Sequence, residues 1–260
     1  MKLQRIRVWF VWALTTLTTL VAAQSASTRN LARSTAQSQA APAPSTAVYE
    51  TRSVHDPDGT GKFYMGREIA HVMGPGGIPW LDRPNRDQEE RPELVIAAMK
   101  LHGGETVVDL GAGSGYFTFQ IAPKVGPRGK VIAVEIQDEM IEALHRRAKE
   151  QKVANVEIVK GSESDPHLSP GSVDLLLMVD VYHELSYPFE VMTAVRRALK
   201  PGGRVMFVEY RKEDPKVQIK ELHKMSVEQL EKEMHALGLV RLQTVETLPL
   251  QHIVIFGKEH

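Results

Sequence analysis

Five short apolar runs recur along the chain, each rich in β-branched or aliphatic residues and bounded by turn formers: Thr106–Leu110, Lys130–Glu135, Val156–Lys160, Val173–Val179 and Arg204–Glu209. Runs this short and this uniformly apolar predict strands buried on both faces, as in a parallel sheet. The intervals Gly115–Pro123, Asp138–Lys152 and Pro188–Leu199 space their apolar residues for helices packed on a sheet. This alternation predicts an α/β fold: a doubly wound, Rossmann-like sheet with helices on both faces. After the fifth strand the order changes. Ser226-Val-Glu-Gln229 has the form of a capping box opening a helix to about Leu237, with Gly238 as its stop. Val240–Thr247 and His252–Phe256, joined by Leu248-Pro249-Leu250, predict an antiparallel hairpin at the sheet edge.

Upstream the pattern differs. Lys2, Arg5 and Arg7 precede an apolar stretch, Val8–Ala23, that closes on the small residues Ala22 and Ala23. Residues 1–23 therefore read either as a cleaved secretory signal or as an uncleaved membrane anchor, the stretch being near the short limit for a spanning helix. Both readings predict an exported domain, periplasmic or secreted in one case and membrane-tethered through its N-terminus in the other. Residues 24–47 are Ser, Ala, Thr, Gln and Pro with almost no large apolar side chain, which predicts a disordered linker. The folded domain is expected over 48–260. Its first part, 48–92, carries Phe63-Tyr-Met-Gly-Arg-Glu68 and Trp80-Leu-Asp-Arg-Pro-Asn-Arg86 in an irregular segment, either a lid over a ligand or a cover for the sheet.

Composition narrows the chemistry. With 260 residues, 42% hydrophobic, the chain can bury one enzyme-sized core. Lys plus Arg equals Asp plus Glu, at 32 each, so no basic footprint points to nucleic acid and no such partner is expected. The absence of cysteine excludes disulfides, thiolate metal sites and cysteine nucleophiles. His183-Glu184 does not open a zinc-hydrolase motif, because Tyr187 stands where the second histidine belongs, and no metal is expected.

The strongest candidate chemistry follows the first strand. Asp109-Leu-Gly-Ala-Gly-Ser-Gly115 sets three glycines in a turn before a helix, where a ligand can approach bare backbone. The spacing Gly-x-Gly-x-Gly is one residue short of the fingerprint that seats a dinucleotide pyrophosphate, and Asp109 would repel phosphate, so a phosphate-free ligand is favoured. Asp109 can pair with a cationic amine. Glu135, ending Val131-Ile-Ala-Val-Glu135, stands where a carboxylate can accept hydrogen bonds from both ribose hydroxyls.

These segments, with Val173-Asp-Leu-Leu-Leu-Met178 and Leu199-Lys-Pro-Gly-Gly-Arg-Val-Met-Phe-Val208, resemble the class I S-adenosylmethionine (SAM) dependent methyltransferases, in particular the ubiquinone/menaquinone-methyltransferase-like branch, from about Glu93 onward. The resemblance implies seven strands with the last antiparallel, and SAM as cofactor. It places Gly111, Ala112, Gly113, Ser114, Gly115 and Tyr116 at the methionine moiety with Asp109, and Glu135 with Ile136 at the ribose edge. Many relatives have Gly-Asp-Ala after the third strand. This chain reads Lys160-Gly-Ser-Glu-Ser-Asp165, which leaves the adenine contact open among Ser162, Glu163, Asp165 and backbone, with Gly161 and Ser162 favoured by position.

Methyl transfer from a cationic sulfur depends mainly on alignment and exclusion of water, and a base helps only a protonated acceptor. Asp180, Tyr182 and His183, after the fourth strand, are the candidates to touch acceptor or cofactor, Asp180 and His183 as catalytic groups. The stretch Glu209–Asp214 and the pair His223-Lys224 read as a charged loop over the same edge, either solvated or helping to shape the acceptor pocket. The expected function is methyl transfer to a small-molecule or lipid-like acceptor. Two other readings are a non-catalytic exported binding module on the same fold and an NAD(P)-dependent oxidoreductase, the latter disfavoured by the glycine spacing.

Overall fold

Alternation within each central strand decides the layering. Leu175 and Leu177 face one apolar cluster while Leu176 and Met178 face another, and Val107 and Val108 divide in the same way. A sheet buried on both faces needs helices on both, and the chain supplies them. The computed structural model describes residues 48–259; the expected export segment (1–23) and linker (24–47) lie outside the described residues.

The N-terminal part opens with a three-stranded antiparallel meander, β1 (Tyr49–Thr51), β2 (Gly59–Tyr64) and β3 (Arg67–Ala70). Sequence reading treats this stretch as irregular, because β2 alternates over few residues and contains glycine. Its hairpin turns on Met65 and Gly66, both at positive φ, the backbone a two-residue type I′ connection requires. Three short helices follow: α1 (Ile78–Leu81), α2 (Arg86–Glu90) and α3 (Pro92–Ala98).

The main sheet begins with β4 (Thr106–Leu110) and proceeds through α4 (Thr118–Val125), β5 (Lys130–Glu135), α5 (Asp138–Gln151), β6 (Val156–Lys160), β7 (Val173–Val179), α6 (Pro188–Ala198) and β8 (Leu199–Arg211). A two-residue strand, β9 (Lys224–Met225), then α7 (Val227–His235), β10 (Leu239–Val245) and β11 (Gln251–Lys258) complete it. The strand order is β10-β11-β8-β7-β4-β5-β6, with β9 parallel to the end of β8. β11 runs antiparallel to both its neighbours. The expected hairpin is present, but β10 forms the outer edge and the last strand is inserted beside β8.

Two boundaries differ from expectation for physical reasons. The first helix starts at Thr118 rather than Gly115, because Gly115 at φ 90° is spent in the turn. β8 begins five residues early: Leu199 pairs with Val173, the Pro201–Gly203 stretch bulges, and regular pairing resumes at Arg204. The predicted cap of α7 forms, with Ser226 Oγ accepting the Gln229 N–H at 3.1 Å. Val191, Met192 and Val195 of α6 and Leu230 and Met234 of α7 pack on one sheet face. Val95 and Met99 of the α3 region and Ile121, Ala122 and Val125 of α4 pack on the other. Among the described residues no helix is long and apolar enough to cross a membrane.

Candidate active site

Beyond the carboxyl ends of β4, β5, β7 and β8, where open α/β sheets leave a crevice, lies a cavity of about 670 Å³, within the range of small-ligand pockets. One wall is the β4–α4 turn. Gly111 and Gly113 sit at φ 72° and 55° and both line the cavity. A Cβ on Gly111 would lie 2.6 Å from the Val181 side chain, so Val181 leaves no room for a side chain at this position. The turn is tied to β5 by the N–H groups of Gly111 and Ala112, both donating to the Val134 carbonyl.

Glu135 is buried at the lip of this wall. Its Oε2 accepts the Gly113 N–H at 2.8 Å, and its Oε1 accepts those of Ile136 at 2.7 Å and Gln137 at 3.1 Å. A carboxylate offers about four acceptor positions. Three are filled, so one further donor fits where the sequence reading has two ribose hydroxyls. Ile136 and Ser162 also line the cavity, as does Glu163. Asp165 is engaged locally, donating its N–H to Ser162 Oγ and accepting that of His167 on Oδ1.

Several expected contacts lie elsewhere. Asp109 is buried off the cavity wall, its Oδ2 accepting from Thr118 Oγ1 at 2.6 Å. Strand alternation puts it on the face of Val107 and α4, whereas Leu110 faces the cavity. Burial raises its carboxyl to about 6, with the Glu135 charge adding and the Thr118 hydrogen bonds opposing. In this structure its carboxylate anchors the first residue of α4. Ala112 packs with Phe119 and Leu144, and a Cβ on Gly115 would strike Phe119 at 2.5 Å. Ser114 donates to Asp82 at 2.9 Å; the Tyr116 hydroxyl donates to Asp87 and its ring lies 4.0 Å from the Arg86 guanidinium. Ser114 and Tyr116 thus dock the end of α1 and α2 onto the turn. Gly161 donates to the Glu135 carbonyl at 2.9 Å and packs on Val134, behind the wall.

The opposite wall carries Asp180 and His183. Asp180 adopts φ 52° just past β7, a left-handed conformation that Asp tolerates better than most residues. Its Oδ2 accepts from Gln251 Nε2 at 2.7 Å, while the buried Oδ1 has no hydrogen-bond partner among the described residues. Burial, then the carboxylates of Glu90 and Glu209, push its carboxyl well above the usual range. His183 donates through Nδ1 to Glu209 Oε2 at 2.6 Å. Burial presses its imidazole toward neutral, but Glu209, Glu184 and Asp180 outweigh that and leave its pKa raised. Tyr182 points away from the cavity, its hydroxyl donating to Glu233 at 2.6 Å.

Glu209 is the residue the sequence reading misplaces. It is fully buried rather than part of a solvated loop, and it also accepts the Tyr182 N–H at 2.9 Å. Its position at the end of the fifth main strand, level with the site, is the signal that could have found it. Tyr210 of β8 and Lys220 and His223 of the β8–β9 connection also reach the cavity, and Glu90 with Arg86 reaches it from α2. Of the N-terminal segment 48–92, Val72, Met73, Trp80 and Leu81 line the cavity, while Val95 and Met99, which pack on the sheet, follow that segment.

A family model described as a methyltransferase domain matches residues 101–252. The chain belongs to this methyltransferase family. The demethylmenaquinone methyltransferase of Lactococcus lactis is 32% identical to it over 106 residues, 41% of this chain and 42% of that one. The arsenite methyltransferase of Halobacterium salinarum is 35% identical over 102 residues, covering 39% of this chain and 26% of that one. The chain thus matches less than half the length of these curated relatives. A crystal structure of a SAM-dependent methyltransferase from Aquifex aeolicus superposes with a TM-score of 0.67 at 27% identity, over 71% of this chain and 98% of that one. SAM is the cofactor of this methyltransferase. Gly111 and Gly113 in the cavity wall, and the buried Glu135 beside them with three of about four acceptor positions filled, fit such a group.

Proposed function

We propose that this methyltransferase moves the methyl group of SAM to a small-molecule acceptor that enters between the N-terminal segment and the ends of β7 and β8. The observation that carries this reading is a single cavity bearing Gly111, Gly113 and Glu135 on one wall and Asp180 and His183 on the other. In it the backbone of the glycine turn holds the methionine moiety, Glu135 takes a ribose hydroxyl, and Ile136, Ser162 and Glu163 border the adenine. Bound SAM supplies an electrophilic methyl on a cationic sulfur. The chain's own groups then orient the acceptor and exclude water. Asp180 holds the acceptor's proton at Oδ1, an oxygen with no other partner among the described residues. Apolar side chains of Val72, Trp80, Leu81, Leu185 and Ile219 border the space, which suits an acceptor with a hydrophobic body. The relatives named for demethylmenaquinone and arsenite support a small molecule rather than a macromolecule.

Mass spectrometry of the ligand released from purified protein tests the cofactor side: SAM or S-adenosylhomocysteine is expected, and a nicotinamide dinucleotide would sink the reading. On the acceptor side, release of S-adenosylhomocysteine with hydroxylated aromatic acceptors is expected. Tight SAM binding with no turnover on any of them would leave a binding module instead. Export through residues 1–23 belongs to the same reading, supported by Lys2, Arg5 and Arg7 ahead of Val8–Ala23. N-terminal sequencing of the mature protein should begin near Gln24 if the segment is cleaved and at Met1 if it is retained.

A further inference from the structure

Two segments far apart in sequence converge on the acceptor wall. His183 and Glu184 lie in the 3-10 turn Tyr182–Glu184, and His223 ends the turn Glu221–His223 before β9. His183 Nε2 is 3.2 Å from His223 Nδ1, which is 3.3 Å from Glu184 Oε1; the third side of the triangle, His183 Nε2 to Glu184 Oε1, is 3.8 Å. All three residues line the cavity. We propose that His183, Glu184 and His223 bind a divalent transition metal, zinc by the geometry, with a fourth coordination position open to the cavity.

The donor set gives the first reason. Glu209 is fully buried and accepts from His183 Nδ1, so it is Nε2 of that ring that faces the other two residues. Glu184 takes the Met73 N–H on Oε2 at 3.2 Å, which leaves Oε1 as the oxygen turned to the two histidines. Two imidazole nitrogens and one carboxylate oxygen are a ligand set that zinc takes.

The triangle supplies the second reason. Four ligands about 2.0–2.1 Å from zinc in a tetrahedron are about 3.3 Å apart, whereas adjacent octahedral ligands at similar bond lengths are about 3.0 Å apart. Sides of 3.2, 3.3 and 3.8 Å lie nearer the tetrahedral figure. A point about 2 Å from all three atoms exists close to their plane, at the length of zinc–nitrogen and zinc–oxygen bonds. The carboxylate of Glu209 behind His183 is the outer partner that fixes a ligating histidine's tautomer and ring orientation. Three protein ligands leave the fourth place to water or to a heteroatom of whatever occupies the cavity. The motif is invisible along the chain because Tyr187 interrupts the helical zinc spacing, and the fold supplies the second histidine from the β8–β9 connection.

The assignment stands whether or not methyl transfer occurs, and its test reads metal directly. The full chain, stripped with chelator, is titrated with zinc chloride by calorimetry beside His223→Ala and Glu184→Gln. One zinc per chain is expected, with each variant weakening it at least about tenfold, and cobalt(II) in its place should give the intense visible bands of a four-coordinate ion. His223 is partly exposed, with 22% of its side chain accessible, so its truncation leaves the fold in place; an unchanged melting curve of the metal-free variant checks this, and His223→Gln is the second variant if it changes. No zinc uptake, equal affinity in the folded variants, or the weak spectrum of six-coordinate cobalt would overturn the assignment.

Discussion

The two walls of the cavity are built by different means. The cofactor wall is local and made of backbone: Gly111 and Gly113 at positive φ and one carboxylate, Glu135, bound to three N–H groups within or beside its own turn. The acceptor wall is assembled from distant, buried, ionisable side chains. Arg67 of β3 grips Glu233 of α7 through two hydrogen bonds of 2.7 and 3.2 Å and reaches the His183 carbonyl at 3.3 Å. Glu209 of β8 holds His183, and Gln251 of β11 holds Asp180. A backbone cradle suits a ligand that every member of a family shares. A wall of side chains from α2, the end of β7 and β8, braced by the meander and α7, can be rebuilt for each acceptor without disturbing the cradle. The separation can be broken by substitutions that ought to act on one wall only.

The largest effect is expected at Arg67. Its removal leaves Glu233 buried with only Tyr182 and Gln229 as donors, and breaking a buried ion pair by deleting one partner costs about 3–5 kcal/mol. Urea unfolding of Arg67→Ala should show a loss in that range while SAM affinity of the folded fraction is retained. A loss below about 1 kcal/mol would mean that the meander does not brace the acceptor wall. Next comes Asp180→Asn, expected to lower kcat about hundredfold, the scale of a proton-accepting group, with SAM affinity within about twofold. Equal losses in both would show the two walls to be one. Glu135→Ala should do the reverse, weakening SAM by about 2 kcal/mol, as for loss of a charged hydrogen-bond acceptor, with kcat at saturating SAM little altered. Calorimetry and steady-state rates read both.

That contrast also explains what could be read along the chain. The five core strands and the helices after β5 and β7 are written in local periodicity, and so is the glycine turn, because its requirement for positive φ is met by residues side by side. Asp180 and His183 were legible because they follow β7 directly, at the sheet edge where ligands bind. The places of Glu209, Glu90 and His223 around them were not. Each is polar, and a charged residue in sequence looks solvated until the fold shows what surrounds it: Glu209 is fully buried between Tyr182 and His183. The meander was missed for a related reason. Its strands are held by contacts to the rest of the domain, such as Lys62 donating to the Ser186 carbonyl and lying against the Tyr187 ring, and none of those contacts is local.

Asp109 offers the finest test, because it belongs by sequence to the cofactor wall and by structure to the sheet behind it. Burial raises its carboxyl from 3.8 to about 6 in the folded protein. The folded state then keeps a proton that the unfolded chain releases, so stability falls as pH rises from about 4 through about 6 and levels off above. Asn at this position can still accept from Thr118 and does not titrate. Between pH 5 and pH 7 the wild type should lose about 1 kcal/mol relative to Asp109→Asn, measured by denaturant unfolding at each pH. Saturating SAM should stabilise both proteins equally and leave that difference unchanged, since the carboxyl faces Thr118 rather than the cavity. If SAM instead abolishes the pH dependence, its ammonium reaches Asp109, and the cofactor wall extends one residue further into the strand than its backbone shape indicates.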